Sequence, residues 1–107
     1  LKQYEKAIAI LNSAIANMPN NPLFYRELGY AYMNTNDIDN AVKSYTKGID
    51  IAGPADTESK AEMAWNLAVI YRDKKHNTDE YEKWGKQAKD WAPVNSNLGR
   101  TLKNVTF

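Results

Sequence analysis

The chain repeats its own pattern. When residues 4–15 are laid over residues 38–49, apolar and small positions coincide, as Ala7 does with Ala41 and Ile15 with Ile49. Self-similarity at a fixed interval of about 34 residues is typical of proteins built by stacking short structural units. The spacing therefore predicts a repeat architecture.

A second correspondence, at a slightly longer interval, links the middle of the chain to its later part. The extra residues of this longer interval fall around 56–60 and would lengthen the start of a helix. The matched pairs agree in size and polarity: Leu28 with Leu67, Gly29 with Ala68, Tyr32 with Tyr71 and Pro54 with Pro93.

Apolar residues recur at helical spacing along most of the chain, and no useful length alternates with the period of a strand. The pattern predicts an all-α chain of about five helices followed by a short C-terminal helix or tail. We expect the five helices at Tyr4 to Met18, Leu23 to about Asn34, Ile38 to the Ala-Gly-Pro at 52–54, about Asp56 to Lys74, and Thr78 or Asp79 to Trp91.

Capping residues support these helix ends. An asparagine stands before Pro22, and asparagine caps a helix while proline suits its first turn. Asp37 is placed to cap the third helix, and Thr78 or Asp79 to cap the fifth. Pro93 is expected to stop the fifth helix.

The middle unit carries a recognisable motif. Residues 25–32 read YRELGYAY and residues 41–45 read AVKSY. Tyr25 followed by the Leu28-Gly29 pair is similar to the tetratricopeptide pattern W-x2-L-G-x2-Y, with tyrosine at the tryptophan position. AVKSY continues that pattern at its alanine and aromatic positions. The chain therefore resembles the tetratricopeptide repeat family.

The resemblance covers roughly residues 4–93 and implies antiparallel helix pairs stacked as a right-handed α-α superhelix. Because the chain opens at Leu1 inside a helical pattern and without methionine, we expect it to be a fragment of something longer. The expected organisation is a single domain fragment over 1–107, with the second helix of a truncated repeat at 1–21, a complete repeat at 22–55, a divergent repeat at 56–95, and a capping helix or tail at 96–107.

Small residues are expected where paired helices cross. Glycine inside a helix costs about 1 kcal/mol relative to alanine, so Gly29 needs a packing reason. The resemblance implies that the helix backbones approach closely at Gly29, Ala41 and Gly48, with Ala68 serving in the next repeat.

The fifth helix has two possible registers. Matching the prolines that follow the third and fifth helices puts Glu80 at the position of Ala41. One inserted residue instead puts Tyr81 there and Ala88 at the later small position. The sequence leaves both registers open.

Candidate chemistry is sparse. The chain has no cysteine, and its one histidine, His76, lies in a polar turn without a second ligand or relay partner. Asp37 and Asp39 stand at a helix start, where capping and the helix dipole explain them. No phosphate-binding glycine loop, GxSxG or HExxH occurs. We predict a protein that is not an enzyme, with no catalytic residues, no cofactor and no metal.

Charge and hydropathy argue against two kinds of partner. Fourteen basic and thirteen acidic residues leave a formal charge of +1, and the charges are scattered along the chain. No basic block is present to seek phosphates or anionic lipid. No apolar run approaches the roughly 20 residues of a membrane span. We expect neither nucleic-acid binding nor membrane insertion.

The resemblance also implies a partner-binding surface. In tetratricopeptide proteins the first helix of each pair lines a concave groove, and aromatic, methionine and arginine side chains are enriched at interfaces. Carried onto this chain, the expected groove residues are Arg26, Tyr30, Met33, Asn34, Glu62, Trp65, Val69 and Arg72. The alternative for Trp65 and Tyr30 is packing against a neighbouring helix.

The first helix lacks a partner of its own in this scheme. Its apolar stripe of Ile8, Leu11, Ile15 and Met18 needs cover from an upstream segment or another chain. An uncovered stripe invites self-association, so a homo-dimer through this face is a further expectation.

These observations favour a non-catalytic scaffold that binds a peptide or protein partner on a concave helical surface. One alternative is a scaffold segment of a larger cell-envelope assembly or solute-capture protein. The other is the docking element of a larger enzyme. In that second case the catalytic residues would lie outside residues 1–107.

Overall fold

A computed structural model describes residues 2–107, so Leu1, the first residue of the predicted truncated repeat, lies outside the described residues. The described chain is all α-helical and contains no strand, which confirms the predicted fold class. The short C-terminal helix is also present. The helices are α1 (Lys2–Asn17), α2 (Pro22–Asn34), α3 (Ile38–Ile51), α4 (Thr57–Asp73), α5 (Thr78–Trp91) and α6 (Asn97–Leu102).

The helices belong to two compact units. The first unit extends to Ala52 and contains α1, α2 and α3, whereas the second begins at Gly53 and contains α4, α5 and α6. In the first unit α2 packs against both α1 and α3, and in the second α5 packs against α4 and touches α6. Because the connections are short, consecutive helices within a unit pack as antiparallel neighbours.

The caps of α2 and α3 lie where the sequence predicts them. Asn21 precedes Pro22, and its side-chain oxygen accepts a hydrogen bond from the Leu23 amide at 3.0 Å. Asp37 Oδ1 accepts from the Asn40 amide at 3.4 Å, and Asp37 Oδ2 accepts from the Asn40 side chain at 2.8 Å. The bonds from the Leu23 and Asn40 backbone amides satisfy donors that the first helical turn leaves without a partner.

The predicted cap of α5 is wrong. The capping residue is Asn77, whose side-chain oxygen accepts from the Glu80 amide at 3.1 Å, while Thr78 is already the first helical residue. Asn77 has the extended backbone that a cap requires, with φ −111° and ψ 98°. Asparagine, threonine and aspartate follow one another at residues 77–79, and all three residue types cap helices well. Residue type alone therefore does not show which of them is the cap.

Helix boundaries resolve the register of α5. α3 and α5 have the same length, and their caps are Asp37 and Asn77. A residue with positive φ stands directly before each cap, which supports the superposition of the two caps. Ala41 and Tyr81 are each the fourth residue after the cap. Tyr81 is therefore the counterpart of Ala41, as the register with one inserted residue predicts.

The inserted residue lies in the turn between α4 and α5. Thr35 and Asn36 separate the end of α2 from the cap of α3, whereas residues 74–76 separate the end of α4 from the cap of α5. Since His76 matches Asn36 in its positive φ, the added residue is one of the lysines at 74–75. Because it falls in an exposed turn, it leaves the helices on either side intact.

The core of the first unit centres on Gly29 and Tyr45. A Cβ placed on Gly29 would lie 2.7 Å from Tyr45 Cε1, closer than real carbon atoms approach. Tyr45 is 0% exposed, and its hydroxyl donates to Met33 Sδ at 3.3 Å. Ala41 and Gly48 are buried in the same region. Gly29 is therefore small because it accommodates an aromatic ring, a more specific reason than close approach of two backbones.

The core of the second unit consists largely of small and medium side chains on α4 and α5. Leu102 of α6 is 1% exposed, so α6 is anchored by an apolar side chain. The buried hydrophobic residues of this unit are Ala61, Met63, Ala64, Leu67, Ala68, Ile70, Ala88, Ala92 and Leu102.

The first helix is the least buried of the long helices. None of the residues of α1, Lys2–Asn17, is buried. Ile8, Leu11 and Ile15 are half-buried in the first unit, where α1 packs on α2. Most of the apolar stripe that was expected to be uncovered is therefore partly covered. The large apolar side chains that remain open are Ile10, 69% exposed, and Met18, 57% exposed.

Candidate functional site

Four of the predicted groove residues lie on α2 of the first unit. Arg26, Tyr30, Met33 and Asn34 follow the spacing that places side chains on one helix face. The Arg26 side chain is 29% exposed and pairs with Glu27, with Nη2 3.1 Å from Oε1. This face therefore offers a cation that is partly neutralised by its neighbour in sequence.

Tyr30 is the most exposed aromatic residue on the α2 face. It is 52% exposed and meets Tyr4 of α1 edge to face, with ring centroids 6.3 Å apart and planes at 64°. That geometry is a favourable one for aromatic pairs. Tyr30 thus both packs against a neighbouring helix and keeps about half of its surface open.

Met33 and Asn34 are already engaged within the first unit. Met33 is half-buried and accepts the hydroxyl of Tyr45 on its sulfur. Asn34 is exposed, but its side-chain amide donates to the Tyr30 carbonyl at 2.8 Å, one turn earlier in the same helix. Both residues lie on the expected face, and each makes a contact that stabilises the fold.

The other four predicted residues lie on α4 of the second unit. Glu62 is exposed, whereas Trp65 and Val69 are half-buried. The Trp65 ring meets Phe107 edge to face, with centroids 6.2 Å apart and planes at 63°. Trp65 therefore packs against the segment that follows α6, a contact that neither interpretation of the sequence included.

Arg72 lies at the end of α4 beside two partners. Its Nε donates to Asp73 Oδ1 at 2.7 Å, and its guanidinium carbon lies 5.7 Å from the centroid of the Tyr81 ring. The hydrogen bond to Asp73 raises the pKa of Arg72 above its ordinary value, and the same bond holds the pKa of Asp73 below its ordinary value. Both groups therefore keep their charges at neutral pH.

The sequence interpretation missed an aromatic cluster in the second unit, formed by Trp65, Tyr81 and Phe107. The Tyr81 and Phe107 ring centroids are 5.6 Å apart, with planes at 70°. A signal for it exists in the repeat: when the caps of α3 and α5 are superposed, Gly85 takes the position of the buried Tyr45. Where the first unit has the ring of Tyr45 on α3, the second has a glycine on α5, and the Phe107 ring lies against that glycine.

Residues 2–107 offer no group of three histidine, cysteine, aspartate or glutamate side chains placed to hold a metal ion. His76, the one histidine, is exposed in the turn after α4 with φ 51°. Over the same residues, no helix combines the length and the apolar character needed to cross a membrane.

Short connections, paired antiparallel helices and a glycine notch filled by an aromatic side chain define a helical-repeat protein. A family model described as tetratricopeptide repeat matches residues 1–56. The chain belongs to the tetratricopeptide repeat family, as its resemblance predicts. No curated protein matches it. Domains of this family generally serve as protein-interaction modules.

Proposed function

We propose that this chain is a scaffold that binds peptide or protein partners through exposed helix faces, that of α2 in the first unit and that of α4 in the second, and that it carries out no chemistry. The observation that carries the proposal is the agreement between the two helices. When the repeat alignment pairs α2 with α4, Arg26 corresponds to Trp65 and Met33 corresponds to Arg72. The same helix positions thus bear large side chains in both units.

The residue types on these faces suit a protein partner. Tryptophan, tyrosine and arginine dominate the residues whose truncation weakens protein interfaces most. Tyr30 and Arg72 combine broad open surfaces with polar groups, and the Arg26 guanidinium is partly exposed. A net charge of +1 gives little attraction to nucleic acid, so the partner in this proposal is a peptide or a protein.

A phage-displayed library of random linear peptides tests the proposal. Peptides that the wild-type chain selects are synthesised and titrated by calorimetry into wild type, Arg26→Ala and Trp65→Ala. We expect peptides that bind the α2 face to lose about tenfold or more in affinity on Arg26→Ala, and peptides that bind the α4 face to lose as much on Trp65→Ala, as loss of a central interface side chain does. Circular dichroism confirms that each variant keeps its helices.

Two matched controls sharpen this test. Lys43→Ala removes an exposed cation from α3 of the first unit, and Trp84→Ala removes a half-buried tryptophan from α5 of the second. Both controls are expected to bind the selected peptides like wild type. Unchanged binding by Arg26→Ala and Trp65→Ala, with intact helices, contradicts the proposal.

A second candidate function is self-association through α1, and the observation that favours it is the exposure of this helix. Ile10 and Met18 keep 69% and 57% of their surfaces open. Ile10 lies on a helix without a single buried residue, and Met18 directly follows that helix. A homo-dimer through this face would remove these apolar side chains from water.

A further inference from the structure

Phe107 lies in a pocket that fits an aromatic ring on several sides. Its edge-to-face contacts with Trp65 and Tyr81 have centroid distances of 6.2 and 5.6 Å. Gly85 forms the floor, because a Cβ at this position would lie 2.6 Å from Phe107 Cδ1. Two aromatic walls and a glycine floor select a flat ring over an aliphatic side chain.

The main chain that carries Phe107 is also held in place. α6 ends at Leu102, and residues 105–107 have no helix or turn. The Lys89 ammonium donates a hydrogen bond to the Val105 carbonyl at 2.7 Å. A bond to a carbonyl just before the ring is available to a segment of any sequence. The pocket therefore binds an aromatic side chain, and Lys89 binds one backbone carbonyl oxygen.

The first unit holds its aromatic ring differently. There the ring is that of Tyr45, which is part of α3, is 0% exposed and hydrogen-bonds Met33. Its counterpart in α5 is Gly85. In the second unit the ring that lies against this glycine is that of Phe107, which belongs to neither α4 nor α5. Phe107 is only half-buried, and its side chain has no polar group to tie it down. If the ring leaves, Leu102, which is 1% exposed, still anchors α6.

We propose that Trp65, Tyr81 and Gly85 form a binding site for an aromatic side chain on an extended segment of a partner protein, and that Phe107 occupies this site until the partner displaces it. Lys89 binds the partner backbone as it now binds that of Val105. This inference rests on the proposed function, since Trp65 belongs to the α4 face, and it names the chemistry of the partner.

The test uses a peptide with the sequence of residues 102–107, acetylated and amidated, titrated into wild type and Phe107→Ala. Binding is followed by NMR of the Trp65 indole. We expect the variant to bind at least about tenfold more tightly, because in wild type the peptide must first displace Phe107. A peptide whose phenylalanine is replaced by alanine should not bind either protein.

Gly85→Ala, introduced together with Phe107→Ala, tests the floor of the site. The added methyl group takes the space of the ring, so the peptide should bind at least about tenfold more weakly than to Phe107→Ala alone. Gly53→Ala in the same background is the control, because the nearest side-chain atom there, Asp56 Oδ2, lies 3.6 Å from the new carbon. It should leave the affinity unchanged.

Three outcomes overturn the inference: no binding to Phe107→Ala at millimolar peptide, equal binding by wild type and variant, or equal binding after Gly85→Ala. If Phe107→Ala does not fold, wild type with labelled phenylalanine rings takes its place. Excess peptide should then shift the Phe107 signals and leave those of Phe24 unchanged. Unshifted Phe107 signals overturn the proposal.

These outcomes are separable from those of the proposed function. Library peptides that lose affinity on Arg26→Ala, together with no binding of the 102–107 peptide to Phe107→Ala, support the scaffold and remove only the aromatic site. Binding of the 102–107 peptide at Gly85, with no library peptide affected by Arg26→Ala, supports the aromatic site and removes the α2 face.

Discussion

Gly29 shows at the scale of single residues how the sequence restricts packing. A glycine inside a helix is unfavourable by itself, so its place in α2 is justified only by what occupies the space beside it. That space contains the ring of Tyr45, which is fully buried and fixed through its hydroxyl to Met33.

Gly29→Ala should therefore destabilise the first unit. At an exposed position inside a helix, by contrast, replacing glycine with alanine stabilises the helix by about 1 kcal/mol. The new carbon, 2.7 Å from Tyr45 Cε1, forces the ring or the helix to shift. We expect a net loss of about 1 to 3 kcal/mol, the usual range for overpacking a core. Urea unfolding followed by circular dichroism measures it.

Gly53→Ala, in the connection between α3 and α4, is the comparison for this prediction. The added carbon would lie 3.6 Å from Asp56 Oδ2, in ordinary contact, so stability should change by no more than about 0.5 to 1 kcal/mol. Equal effects of the two substitutions would show that the space beside Gly29 does not decide its identity.

The small size of position 29 was predictable from the sequence, but the side chain that fills the space was not. The repeat pattern says which residues face a neighbouring helix. It does not say which of several facing residues turns its ring toward the glycine, because that depends on rotamers and on contacts such as the one between Tyr45 and Met33.

At the scale of helices, the start of α5 tests which residue caps the helix. Asn77, Thr78 and Asp79 are all residues that cap helices, and the side chain of Asn77 is the one that accepts from an amide of the first turn, that of Glu80. The choice follows from the inserted residue in the preceding turn, which moves the cap one place along the chain.

Asn77→Ala should cost about 1 kcal/mol, within the usual range of about 0.5 to 2 kcal/mol for loss of a capping side chain. Thr78→Ala should have little effect, because Thr78 is the first helical residue and its exposed side chain does not cap. Thermal unfolding of both variants measures the difference. A larger loss for Thr78→Ala would place the cap where the sequence alone put it.

Helix existence was predictable at this scale and the α5 register was not. The helical spacing and the capping side chains of Asn21 and Asp37 identify α2 and α3 correctly, because these signals are local. Choosing between Glu80 and Tyr81 as the counterpart of Ala41 required the length of a turn. A single extra lysine at 74–75 changes that length without changing any helical pattern.

For the whole molecule, the family was predictable and the occupant of the aromatic cluster was not. Residues 25–32 carry the motif locally, and the family model matches residues 1–56. The contact of Phe107 with Trp65 joins residues that are far apart in the sequence, and no local sequence pattern predicts it. The one indication in the sequence is that Gly85 stands where the first repeat has Tyr45.

Self-association is a property of the whole molecule, and the exposed surface of α1 makes it testable. Ile10 and Met18 would pack against a second copy, since apolar side chains this open gain most from being covered. Light scattering over a range of concentrations should show a molar mass that rises toward that of a dimer. Ile10→Asp should weaken the dimer about tenfold or more, because it buries an unpaired charge in the contact.

Val94→Asp is the control for this last prediction. Val94 is 82% exposed and belongs to the second unit, so a charge there should leave association through α1 unchanged. If both substitutions weaken the dimer equally, the contact is not specific to α1. If wild type stays monomeric at every concentration, the half-burial of Ile8, Leu11 and Ile15 against α2 already covers the helix sufficiently, and the faces of α2 and α4 remain the proposed binding surfaces.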